Sequence, residues 1–206
     1  MKNKEIKDYL SELNPNPECP LNYTLDYELL IAVVLSAQSH DDQVNKVTEV
    51  LFNKYNLETL SKANIEDIVD IIRPAGNMHK KAKYIIEICN RLIKEQNGKV
   101  PNDREYLESL PGVGRKTTNV ILATLFDEPA FAVDTHIERV AKRLGIADDK
   151  DNILEVEEKL MKFYKKEEIG KAHLQVLLFG RYVCKAKNPL CETCKLKKYC
   201  SYSKHI

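Results

Sequence analysis

Apolar residues recur along this chain mainly at spacings of three and four, the period of a helix that buries one face. Leu29 to Leu35 is different: without a polar face, it predicts a helix buried all round, with Asp26 placed to cap it. Ser39 with Asp42 three residues on reads as a weak capping box, followed by Val44, Val47, Leu51 and Tyr55 at helical spacing. Asn64 precedes Ile65, Ile68, Val69 and Ile72, a run that Arg73-Pro74 stops. Ala82, Ile85, Ile86, Cys89, Leu92 and Ile93 mark another helix, closing near Gly98. Asp134 then precedes Ile137, Val140, Ala141 and Leu144, with Gly145 as the stop. Val156, Leu160 and Phe163 follow, and an apolar segment runs from Leu174 to Phe179. No stretch shows the alternation of a half-buried strand. The pattern predicts an all-α protein.

Composition adds the class. With 206 residues, 43% apolar and 31% charged, the chain has the balance of an ordinary globular protein with a real core. Its longest apolar stretch is far short of the ~20 residues needed to span a bilayer. The first residues, MKNKEIKDYLSELNPNPE, contain no apolar signal region, so a cytoplasmic location without membrane attachment is expected.

Taken whole, the net charge of +1 predicts nothing about nucleic acid, whose partners are usually basic. That figure is an average of two unlike parts. In the last 26 residues Arg181, Lys185, Lys187, Lys195, Lys197, Lys198 and Lys204 face one acid, Glu192; the preceding residues are net acidic. Four of the six cysteines, Cys184, Cys191, Cys194 and Cys200, fall in the same basic tail. Such crowding in a cytoplasmic protein points to metal before disulfides. Four thiolates suit tetrahedral zinc or a [4Fe–4S] cluster, and their spacing alone leaves both open.

Residues 103–126 read DREYLESLPGVGRKTTNVILATLF: two helical stretches around Leu110-Pro111-Gly112-Val113-Gly114. Pro111 ends the first helix, and the glycines allow a tight turn with positive φ. The amides opening the second helix then point into the turn, making Gly112, Val113 and Gly114 a candidate phosphate site. A plain helix–helix connector explains the same residues. Lys116 lies at the start of the second helix, where the helix dipole opposes a cation and favours the free amine, a nucleophile for Schiff-base chemistry. Partial burial would add to this, although most lysines are simply exposed. Asp134 occupies a helix N-cap, which is a sufficient reason for a carboxylate there.

Taken together, LPGVGRKTTNVIL, VDTHIERV and the four-cysteine tail resemble the endonuclease III family of bifunctional DNA glycosylases, in the helix-hairpin-helix superfamily. The resemblance runs from about Leu29 to the C-terminus and includes LLIAVVLSAQ, NGKVPNDREYLESLPGVGRKT and HLQVLLFGRYVC. It implies two all-α lobes with a cleft between them: a six-helix barrel over residues 21–130, and a cluster lobe combining residues 1–20 with 131–206. It implies Lys116 as the amine that attacks C1′ of a flipped-out nucleotide and Asp134 as its carboxylate partner. The expected outcome is loss of an oxidised or ring-saturated pyrimidine from duplex DNA, then strand cleavage by β-elimination. The related adenine-glycosylase branch lacks the lysine and the lyase step, so Lys116 separates the two.

The same resemblance assigns the 6-2-5 cysteine spacing to a [4Fe–4S] cluster and the protein to base-excision repair as a nucleoid-associated monomer acting on damaged duplex DNA. Lys185 and Lys187, with Lys195, Lys197 and Lys198, are expected to face DNA phosphates, unless they form only a solvated charged tail. Gln38 corresponds to the polar wedge that fills the gap left by the departing base; as a residue at a helix end it also has a plain structural reading. Gly76-Asn77-Met78-His79-Lys80-Lys81-Ala82 matches the second insertion loop, where the family pattern is G-L-Y-N-x-K-A. Asn77 stands where that pattern has an apolar wedge, so either Met78 takes the role or opposite-strand recognition differs. Asn188 stands where a lysine is expected. His136 is read as a structural partner near Asp134. A monofunctional glycosylase and a non-catalytic DNA-binding iron–sulfur module are the alternative readings.

Overall fold

A computed structural model of the chain describes residues 1–205. The described residues form α-helices and short 3-10 turns, with no strand. In chain order the helices are α1 (Lys2–Leu13), α2 (Asp26–Ser36), α3 (Asp41–Lys54), α4 (Leu57–Ser61), α5 (Ile65–Ile72), α6 (Met78–Gln96), α7 (Arg104–Ser109), α8 (Arg115–Phe126), α9 (Thr135–Arg143), α10 (Ile153–Phe163) and α11 (Ile169–Tyr182). None is long and apolar enough to cross a membrane.

The chain divides into two compact units, Cys19–Phe126 and Met1–Glu18 joined by Asp127–Ile206. The first boundary precedes Cys19 because Cys19 and Leu21 pack on one core. The second falls where α8 ends and Asp127 turns into the left-handed region at φ 55°.

In Cys19–Phe126, α2 is the central post. Every residue from Tyr27 to Leu35 is buried, which is why this segment has no polar face to spare. Helices α3, α6 and α8 surround it, and α4 adds one turn against α6. Two helix starts differ from the sequence expectation. The N-cap of α2 is Leu25, not Asp26: Glu28 Oε2 accepts from the Thr24 and Leu25 amides at 2.7 and 3.0 Å. Asp26 is drawn away by a tertiary partner, its Oδ2 accepting from the Val100 amide at 2.9 Å. Likewise α3 is capped at His40, while the Ser39 hydroxyl donates to the Ala75 carbonyl. Asn64 does cap α5, accepting from the Glu66 amide at 2.9 Å. Helix α6 starts at Met78, before the apolar run predicted it, and closes through left-handed Asn97 and Gly98, whose amide returns to the Leu92 carbonyl at 2.9 Å.

The other unit joins α1 to α9, α10 and α11. Helix α1 buries Ile6, Tyr9 and Leu10 on one face and packs on α11, where Tyr9 meets Phe179 edge-on at 6.2 Å. Helix α11 crosses α9 so closely that a Cβ on Gly180 would lie 3.0 Å from the His136 carbonyl oxygen. This crossing brings the start of the cysteine-bearing tail onto the Asp134 helix.

Candidate functional site

The turn before α8 is built by packing. Asp103 caps α7 through the Tyr106 amide at 3.1 Å, and α7 ends into Leu110, which is buried, as is Val113. The Val113 amide closes the turn on the Leu110 carbonyl at 3.2 Å. Gly112 has φ 78°, and a Cβ there would lie 2.5 Å from the Tyr84 ring; glycine is required by both backbone and space. Gly114 is different, with nothing within 4 Å of its would-be Cβ and no positive φ. The first amide to bond back into the turn is that of Thr118, to the Gly114 carbonyl at 2.9 Å. The amides ahead of it open the helix toward the turn, which suits an anion. Arg104 Nη2 fastens α7 to α8 by donating to Asn119 Oδ1 at 2.7 Å, and Arg91 ties α6 to Ser109 at 2.8 and 2.9 Å. Lys116, the second residue of α8, is exposed. The suggested partial burial is therefore absent.

Two further loops of the same unit meet. Gln38 and Asn77 both take left-handed conformations, φ 60° and 50°, and both are exposed. Asn77 Nδ2 donates to Gln38 Oε1 at 3.3 Å. Met78 is partly buried and packs on the core, so Asn77, not Met78, stands at the loop tip. Beneath the pair, the Lys81 ammonium is buried and donates to the carbonyls of Leu35, Ala37 and Ala75.

In the other unit, Asp134 is the N-cap of α9: Oδ1 accepts from the His136 and Ile137 amides, each at 2.9 Å. Its second oxygen accepts no hydrogen bond from any described residue. Arg139, one turn on, donates to the Gly180 carbonyl at 2.7 Å and to that of Cys184 at 3.0 Å, and stands 3.2 Å from His136 Nδ1. Arg143 continues the series, reaching Cys184 Sγ at 3.4 Å and the Lys185 carbonyl at 2.9 Å. The Asp134 helix is thus bolted to the start of the tail. Lys116 and Asp134 themselves belong to different units.

The four cysteines line one recess, whose remaining wall includes Leu144, Phe179, Pro189 and Leu190. Among the described residues, no group of three or more His, Cys, Asp or Glu converges on a single-ion position. Burial pushes the Cys184 and Cys194 thiols up, and the neighbouring thiols push in the same direction. Arg143 opposes this at Cys184 and the Leu196 backbone at Cys194. The tail lysines separate into two groups. Lys185 and Lys187 are exposed, with no acidic partner among the described residues. Lys195 pairs with Glu12 at 2.6 Å, Lys198 with Glu5, and Lys197 with Glu192 at 3.3 Å. Asn188 is left-handed at φ 50°, a conformation that asparagine tolerates better than lysine.

Sequence reasoning passed over Arg139 and Arg143, and it met Lys81 only as the lysine of the loop pattern, without its burial or its bonds. Nothing in the run Lys80-Lys81 separates an exposed lysine from a buried one except the helical spacing that places Lys81 beside Ala82 and Ile85 on the inner face.

Residues 31–166 match the HhH-GPD superfamily of base excision DNA repair proteins. Endonuclease III of Bacillus subtilis is 44% identical over 194 residues, 94% of this chain and 89% of that protein. Endonuclease III of Escherichia coli K12 is 43% identical over 206 residues, 100% of this chain and 97% of its own length. The chain belongs to the endonuclease III family. It is accordingly a DNA glycosylase and AP lyase of base-excision repair. Two solved endonuclease III structures share its fold, one a trapped covalent intermediate with DNA (TM-score 0.93, 44% identity) and one a non-covalent DNA complex (0.94, 45%); each covers 100% of this chain and 98% of that one. A thermostable thymine-DNA glycosylase at 24% identity shares the fold, with TM-score 0.89 and the same coverage.

Proposed function

We propose that this member of the endonuclease III family, acting as a monomer, removes oxidised or ring-saturated pyrimidines from duplex DNA through a Schiff base on Lys116 and then cleaves 3′ to the abasic site. The observation that carries this is an exposed amine on the first turn of α8, directly behind a turn whose backbone suits a phosphate. Lys116 Nζ attacks C1′ of the extruded nucleotide; the C1′–base bond breaks and the base leaves with a proton. Ring opening gives the iminium, loss of a C2′ proton follows, and the 3′ phosphate departs with the electron pair. Asp134 is suited to stabilise the developing positive charge on the sugar and to move these protons, because capping occupies only Oδ1 and leaves Oδ2 available. Phosphates contact the backbone of Gly112, Val113 and Gly114 and the side chains of Lys185 and Lys187.

Cys184, Cys191, Cys194 and Cys200 suit a [4Fe–4S] cluster. The four thiols line one apolar recess, and likeness to endonuclease III favours a polynuclear cluster there over a single zinc ion. When bound, the cluster supplies a rigid anchor for the tail. Visible absorbance of the purified protein distinguishes it from colourless zinc.

The decisive experiment uses duplexes with single defined lesions, with and without borohydride. Wild-type protein yields a trapped protein–DNA adduct, whereas Lys116→Ala yields none and loses strand cleavage by at least ~1,000-fold. A Lys116→Ala protein that still traps removes Lys116 from the mechanism. Base release without strand cleavage by the wild-type protein places it with the monofunctional enzymes.

A further inference from the structure

The two insertion loops share a feature that lies below the surface. At the end of α2, backbone carbonyls run out of helical donors, and the chain turns left-handed at Gln38. At the start of α6, a second turn passes through Gly76 and left-handed Asn77. Between them is Lys81, 5% exposed. Its ammonium has three protons to donate. Three carbonyls accept them: Leu35 at 2.9 Å and Ala37 at 2.8 Å from the first loop, and Ala75 at 2.7 Å from the second. Ser39 Oγ lies at 3.4 Å, and its own hydroxyl donates to the same Ala75 carbonyl.

The result is a cross-braced pair. A single cation fixes both loops from beneath, and the Asn77–Gln38 carboxamide bond joins them at the tip. Carbonyls converging on one point match a compact ammonium; a planar guanidinium directs its donors along a fork and cannot serve them all. An apolar side chain at 81 leaves three carbonyls without that donor, those of Leu35 and Ala75 buried, and each loop is then free to move toward water to satisfy them. Asn77 gives the brace its upper half, because the apolar residue expected there could not bond Gln38.

We propose that Lys81 is a positioning residue for opposite-strand engagement, holding Gln38 and Asn77 together as one bridged polar wedge. The proposal rests on the reading that Gln38 enters the gap left by the extruded base. A displaced wedge and a partly unfolded enzyme have different signatures. Loss of folded protein scales activity equally on every duplex, whereas a displaced wedge changes the ratios among duplexes that differ in the base opposite the lesion.

The test is a double-mutant cycle of Lys81→Met and Gln38→Ala, read as kcat/KM on four duplexes with one lesion opposite each of the four bases. Each single variant is expected to lose about 10-fold or more on the preferred duplex and to narrow the spread among opposite bases. The double variant is expected to lose no more than the larger single loss, because both changes remove the same wedge. Losses that multiply overturn the proposal while leaving Gln38 as a wedge. A Gln38→Ala enzyme with unchanged rates and spread overturns the wedge reading itself, and the proposal with it. If Lys81→Met does not melt cooperatively, Ser39→Ala takes its place in the cycle, with an expected loss of about 3-fold and the same non-additivity. Asn77→Leu, which cuts the upper brace alone, is expected to narrow the spread more than it lowers the best rate; a spread identical to wild type removes Asn77 from the wedge.

Discussion

At the turn before α8, Leu110 and Val113 are buried and Gly112 lies against the Tyr84 ring, so packing fixes the backbone. The tail beyond Val183 buries only Leu196 and Cys200 among its described side chains. It is held instead by polar ties: Arg139 and Arg143 to its carbonyls, Ser201 to the Arg143 carbonyl, and lysines to the acids of α1. The first loop is self-supporting because an apolar core needs no ligand. The second has too little buried apolar surface to hold four thiols in place unaided, and it gains most from whatever those thiols bind.

The largest effect should come from removing that support. Cys194→Ser is expected to lower amide-exchange protection across residues 183–203 by about 100-fold or more, with α2 and α8 near their wild-type values. Equal loss in both regions would erase the contrast. Next comes Gly112→Ala, which forces a Cβ into the Tyr84 ring and a left-handed alanine; thermal melts should show about 2–4 kcal/mol of destabilisation. Gly114→Ala meets open space and should cost under ~1 kcal/mol, yet weaken DNA affinity by blocking close approach. If Gly114→Ala proves as unstable as Gly112→Ala, the two glycines do not divide between fold and contact.

A smaller effect separates the lysines. Lys185→Ala and Lys187→Ala should each reduce the salt slope of DNA binding by about 0.9, whereas Lys195→Ala and Lys198→Ala, whose charges are already answered by Glu12 and Glu5, should change it much less. The smallest effect is on pH dependence. Lys198 bonded to Glu5, and Lys7 bonded to Glu168, hold both carboxylates below the ordinary glutamate value of 4.5. Stability from these pairs is therefore complete above 4.5 and is lost as pH falls through the lowered folded values. Melting temperature should decline over that acidic range, and Glu5→Gln with Glu168→Gln should flatten the decline; an unchanged profile would assign the acid limb to other groups.

Much of this was legible in the sequence where the decisive neighbours are local. Asp134 and Asn64 cap as expected because their acceptors meet amides two or three residues ahead. Asp26 and Ser39 look like the same signal but serve distant partners, Val100 and Ala75, which no local pattern reveals. Helix α1 offers few apolar residues in a charged segment, and its burial depends on α11. The family motifs marked out Lys116 and the cysteines directly. They could not show which tail lysines are neutralised, because Glu5 and Glu12 lie far away in sequence. The loop pattern includes Lys81 but not its role, which comes from three carbonyls, and a carbonyl has no sequence identity.

The packing of α1 on α11 also bears on how the molecule is made. Asn14 and Gln175 are hydrogen-bonded across 161 residues, so synthesis produces α1 first and its partner only after the whole Cys19–Phe126 unit. That unit has all its own helices by the time α8 leaves the ribosome and can collapse early. Helix α1, with Ile6 and Leu10 unburied, must wait for a late, long-range closure. Chaperone contact during translation is therefore expected to concentrate on α1, far in sequence from Lys116 and Asp134.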